Sequence, residues 1–138
     1  MPASFLDTNI FVYSLSTAVA DQRKRERATE ILLSDDDLVL SVQVLQEFYT
    51  QATRPNRPDR ISHTTALVLM SAWRRWHVVD LTVQVLDRAL ELCAAHRLNY
   101  WNSAIIAAAS VAGCSEVLTE DMQDGASIAG VRIRNPFI

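Results

Sequence analysis

Short apolar runs alternate along this chain with stretches of helical periodicity, and that alternation narrows the fold more than any other feature. Ser4–Leu6, Leu38–Ser41, His77–Asp80 and Glu116–Leu118 each read as a strand, and Val131–Ile133 as a last short one. Between them, apolar residues recur at the spacing of one helix face. Strands separated by helices predict an α/β chain of three layers, with a mostly parallel central sheet between helices. The expected extent is a single unit over residues 1–138, long enough to bury about two thirds of its unfolded surface.

Polar residues gather where these elements end. The first strand stops at Asp7-Thr8-Asn9, which predicts Asp7 at the strand's carboxyl end and Asn9 at the start of a short helix. The fourth strand stops at Thr119-Glu120-Asp121. In open parallel sheets ligands bind just beyond such carboxyl ends. In the helix predicted for Val42–Thr53, residues Val44, Leu45, Phe48, Tyr49 and Ala52 share one arc, and Glu47 lies roughly 60° outside it. A glutamate there is either ordinary helix surface or an acid reaching inward over a site.

In the helix after Thr82, Val85, Leu86, Ala89, Leu90 and Cys93 form the expected inner side. Ala104–Ala112 is apolar nearly all round, the mark of a buried helix. Asn99 is its expected N-cap, which places Asn102 at the third helical position.

Composition excludes several classes of function. Cys93 and Cys114 are far apart and show no paired spacing, and His63, His77 and His96 have no metal-ligand spacing, so neither a zinc site nor a disulfide framework is expected. No charged segment followed by an apolar run opens the chain, and Ala104–Cys114 is too short to span a bilayer. A cytoplasmic protein without membrane contact is expected. The net charge of −3 argues against broad affinity for nucleic acid, although twelve of the thirteen cations are arginine, the better fork for phosphate. Arg23, Arg25, Arg54, Arg57 and Arg60 are the candidates for such contacts.

If the fold brings Asp7, Glu47, Asn102 and Asp121 to one edge of the sheet, the like charges of the three acids repel unless a divalent cation neutralises them. Hard oxygen donors of this kind suit Mg²⁺ or Mn²⁺.

The segments Phe5-Leu6-Asp7-Thr8-Asn9, Leu45-Gln46-Glu47-Phe48, Tyr100-Trp101-Asn102 and Leu118-Thr119-Glu120-Asp121, with Asn135-Pro136-Phe137 at the end, together resemble a PIN domain. Within that superfamily the chain is most similar to VapC-type toxins of bacterial toxin–antitoxin pairs. The resemblance spans essentially the whole chain. It implies an endoribonuclease dependent on Mg²⁺ (or Mn²⁺), in which water attacks an RNA phosphodiester in line. It also implies a homodimer and a small VapB-like antitoxin partner, with a groove near Ile61–Trp76 as the antitoxin's seat. The family's acids fall on Asp7, Glu47 and Asp121, with Thr8, Asn9 and Thr119 as polar supports and Glu120 as an adjacent acid of open role.

One position departs from the pattern. The family has tryptophan followed by aspartate where this chain has Trp101-Asn102. Asparagine keeps the shape and one carbonyl oxygen but loses a charge and cannot act as a base. A weakened or inactive nuclease is therefore expected, whether the change was introduced to disarm a toxic enzyme or is natural.

Three alternatives stand beside this reading. A strand ending in Asp7 also resembles haloacid-dehalogenase-type phosphatases, but those need a lysine late in the chain, and Lys24 is the sole lysine. A non-catalytic module that binds RNA or an antitoxin would tolerate Asn102. A purely structural α/β domain would use its acids as helix caps.

Overall fold

The computed structural model describes residues 3–138, so the first two residues of the expected 1–138 unit lie outside the described residues. The elements follow the order β1 (Ser4–Leu6), α1 (Thr8–Tyr13), α2 (Gln22–Leu32), β2 (Leu38–Ser41), α3 (Val42–Ala52), α4 (His63–Trp73), β3 (His77–Val79), α5 (Val83–His96), α6 (Tyr100–Val111), β4 (Glu116–Leu118), β5 (Ser127–Ile128) and β6 (Val131–Arg134). The six strands form one sheet in the order β3-β2-β1-β4-β6-β5, flanked by helices. Every pairing is parallel except β5 with β6. β2 is buried along its whole length, as a strand covered on both faces must be.

The topology explains where a site belongs. From β1 the chain winds outward to β2 and β3, then crosses back to β4 on the other side of β1. The winding direction reverses between β1 and β4, and in doubly wound sheets the crevice at that reversal is the natural place for a ligand. Asp7 follows β1, and Thr119, Glu120 and Asp121 follow β4. Leu6 pairs with Leu118, so both strands end level with each other.

Packing fixes these strand ends. Trp73 of α4 sits between Phe11 of α1 and Phe48 of α3, with ring centroids 4.6 Å from each. α6 is buried from Ser103 to Ala109, and its small side chains let it lie close on the sheet.

Several boundaries differ from expectation, each for a local reason. Asp7 rather than Asn9 caps α1: its Oδ1 accepts from the Thr8 N–H at 2.7 Å. α6 begins at Tyr100 with Asn99 as its N-cap, as expected: the Asn99 side chain accepts from the Asn102 N–H at 2.8 Å. β3 ends at Val79, and β5 was not foreseen, since a two-residue strand carries no periodicity. On α5 the buried side is Val85, Ala89 and Leu92, whereas Leu86 and Leu90 are exposed. α4 divides its large apolar residues: Trp73 is buried, Leu69 and Met70 are half-buried, and Leu67 and Val68 face solvent. No helix among the described residues is long and apolar enough to cross a membrane.

Candidate active site

A cavity of about 310 Å³ opens at the crossover between β1 and β4. Asp7, Glu47, Asn102 and Asp121 all line it, together with Thr8, Asn9 and Glu120. The four side chains expected to converge from separate segments therefore share one pocket. Thr119 sits directly behind it, fully buried.

Asp7 is the deepest of the acids and is nearly inaccessible to solvent. Its Oδ2 accepts from the Thr119 hydroxyl at 2.8 Å, and its Oδ1 is the α1 cap already described. Burial pushes its carboxyl up to about 6 from an ordinary 3.8. The two hydrogen bonds oppose that rise, and the negative charges of Asp121 and Glu47 add to it. The pocket thus holds an acid that keeps its proton up to about pH 6, and a positive charge placed beside it would favour its ionised form.

The other groups are held by short polar links. Thr119 Oγ1, while donating to Asp7, accepts from the Asp121 N–H at 3.0 Å and from Asn9 Nδ2 at 3.3 Å. Asn9 Nδ2 also donates to Asp121 Oδ2 at 3.1 Å. The Asn9 Oδ1 is buried and has no hydrogen-bond partner among the described residues. Glu47 reaches inward from α3, where its Oε1 accepts from the Thr8 hydroxyl at 3.0 Å and from Gln43 Nε2 at 3.3 Å. That settles the ambiguity at Glu47 in favour of an inward-facing acid.

Glu120 plays a different part from its neighbour Asp121. It accepts from the Tyr13 hydroxyl and forms an ion pair with Lys24 Nζ at 2.7 Å. Lys24 also lies over the Tyr13 ring, 4.9 Å from its centroid. The sole lysine is thus drawn from the basic stretch of α2 to neutralise an acid at the pocket rim.

Gln43 is a contributor absent from the expected residues. It is buried one turn before Glu47 and donates to both Glu47 and the Trp101 carbonyl at 3.3 Å, linking α3 to the first turn of α6. The i, i+4 spacing of Gln43 and Glu47 was the available signal. Of the five candidate arginines, Arg57 alone lines the pocket.

Could these residues hold a divalent cation? Among the described residues, no three His, Cys, Asp or Glu side chains are grouped tightly enough to do so unaided. The donor set is nevertheless one of hard oxygens, with a deep carboxylate whose ionisation is suppressed and an orphaned amide oxygen beside it. Mg²⁺ commonly keeps several waters and takes only one or two carboxylates directly. The residues fit a hydrated cation of that kind.

A family model for the PIN domain matches residues 4–123. The chain belongs to the PIN domain family. Solved structures agree with that placement. A toxin–antitoxin complex from Klebsiella pneumoniae superposes with a TM-score of 0.70 at 19% identity, covering 96% of this PIN domain's chain and 97% of the other. VapC20 from Mycobacterium tuberculosis, described as a sarcin-ricin loop cleaving toxin, gives 0.66 at 20% identity over 86% and 91% of the two chains. DNA-bound VapBC from Salmonella typhimurium gives 0.66 at 20% identity over 99% of each. At such identities the likeness is one of fold. No curated relative matches the chain in sequence.

Proposed function

We propose that this PIN domain is an endoribonuclease toxin of the VapC type, dependent on Mg²⁺ or Mn²⁺, and weakened or silenced by Asn102. The observation that carries the reading is the convergence of Asp7, Glu47, Asn102 and Asp121 on one pocket at the crossover of the sheet.

A bound divalent cation would supply positive charge against the phosphoryl oxygens and lower the pKa of a water beside them. The chain's own residues hold the pocket ready for that. Thr119 orients Asp7 through its hydroxyl, Thr8 and Gln43 fix one Glu47 oxygen, and Asn9 steers Asp121. Asn102 offers a neutral carbonyl oxygen where the family carries a carboxylate, so the pocket loses one negative charge and one candidate proton acceptor.

RNA as the substrate class is supported by the description of VapC20 as cleaving the sarcin-ricin loop. An antitoxin partner is supported by the toxin–antitoxin complexes among the structural neighbours. A groove of about 890 Å³ between α3 and α4, lined by Leu45, Tyr49, Leu67, Met70 and Trp76, lies in the region expected to receive it. The proposal includes a homodimer acting in the cytoplasm, built from one unit over residues 1–138.

Asn102 favours one second reading, a module that binds RNA or antitoxin and never cuts. Mg²⁺-dependent cleavage of total cellular RNA by this chain and by Asn102→Asp separates the two. The nuclease reading expects weak or no cleavage from the first and robust cleavage from the second. Equal, robust activity in both would contradict the assigned role of Asn102, and RNA binding without cleavage in the variant would favour the binding module.

A further inference from the structure

The pocket poses an electrostatic problem that its acids cannot solve. Asp7, Asp21, Glu47, Glu120 and Asp121 all line it, and among the described residues Arg57 is the only cationic side chain that does. An RNA strand brings a further negative charge with every phosphodiester. One divalent cation offsets part of this, close to the carboxylates that hold it.

We propose, on the strength of the nuclease reading, that Arg57 is the residue that grips a phosphodiester of the substrate strand at the pocket mouth. Arg57 lies in the loop between α3 and α4 and is fastened before any ligand arrives. Its Nε pairs with Asp59 Oδ1 at 2.5 Å, and the two side chains are only 22% and 9% exposed. Asp59 Oδ2 in turn accepts from the Thr17 N–H at 3.0 Å, tying the loop to the segment that follows α1.

The pair closes through Nε, so the terminal guanidinium nitrogens are not the atoms nearest Asp59. These are the donors that engage a phosphate in forked fashion. Because the side chain is already ordered, less rotamer freedom is lost when a phosphate is bound. The other candidates lack this arrangement. Arg23, Arg54 and Arg60 are exposed, and Arg25 reaches the Ser16 carbonyl at 3.4 Å.

The test is the salt dependence of binding to a short, mixed-sequence, fluorescein-labelled single-stranded RNA in Mg²⁺ buffer, read by anisotropy. Each phosphate contact to a single strand contributes about 0.7 to the slope of log affinity against log salt. The double variant Arg57→Gln/Asp59→Asn removes the ion pair without leaving a lone charge. It is expected to lose about 0.7 of slope and about tenfold in affinity. Arg57→Lys keeps the charge but not the fork, and should keep the slope while losing part of the affinity. Arg88→Gln, a remote arginine on α5 paired with Glu91, should change neither.

If the chain binds RNA and the double variant matches it in slope and affinity, Arg57 has no such role while the nuclease reading stands. Equal losses from the double variant and from Arg88→Gln would also overturn the assignment, since the effect would then not be particular to the Arg57 position. If the unaltered chain binds no RNA, the nuclease reading fails and takes this inference with it. Cooperative urea unfolding of each variant establishes that it is folded, and Arg57→Lys preserves the test where the double variant is not.

Discussion

Replacing Asp7 with asparagine should stabilise the cation-free chain at and above neutral pH, although it removes a residue assigned to the active site. Asp7 titrates at about 6 in the folded chain against an ordinary 3.8. The folded chain thus holds this proton more tightly than the unfolded chain does, and ionisation opposes folding. The cost is absent below about pH 4, grows between 3.8 and about 6, and is complete above that. Its full size is about 3 kcal/mol.

Asparagine removes that cost but spoils one contact. The Thr119 hydroxyl, which donates to Asp7 Oδ2 at 2.8 Å, loses a charged acceptor, an effect of about 1–2 kcal/mol. Asp7→Asn should therefore gain about 1–2 kcal/mol at pH 8 and show no gain near pH 4. Urea unfolding of both proteins at the two pH values, with chelator present, measures this. A stability difference that stays constant between the two pH values would mean that the Asp7 carboxyl is not raised by burial in the folded chain.

Two further substitutions probe the support of the site. Thr119→Val leaves Asp7 Oδ2, the Asp121 N–H and the Asn9 amide each short of a partner. It should cost about 2–3 kcal/mol in urea unfolding, with Thr119→Ser restoring most of it. Trp73→Ala removes the ring packed between Phe11 and Phe48, and should cost about 3–5 kcal/mol in the same assay.

Much of this arrangement was readable from the residues. Asp7 and Asp121 betray themselves because an apolar run that stops at an acid leaves it at a strand end, and parallel pairing of β1 with β4 then sets both ends level. Asn99 declared itself as a cap by residue type. Glu47 stayed ambiguous because helical periodicity reports an angle, whereas its inward reach depends on Thr8 and Gln43 arriving from other parts of the chain. Glu120 was open for the same reason: its ion pair with Lys24 spans most of the sequence. Arg57 could not be told from its neighbours, since what distinguishes it is the contact of Asp59 with Thr17, which no local pattern encodes. β5 is too short to carry any pattern.

The proposed function requires that Asp7, Glu47, Asn102 and Asp121 form a pocket for a hydrated divalent cation. Mn²⁺ binding followed by electron paramagnetic resonance tests it most directly, in the unaltered chain and in Asn102→Asp, Asp7→Asn and Asp121→Asn. Weak binding is expected in the first, tighter binding in Asn102→Asp, and loss of binding in the other two. Mn²⁺ binding of equal strength in all four proteins, or in none, would contradict that requirement.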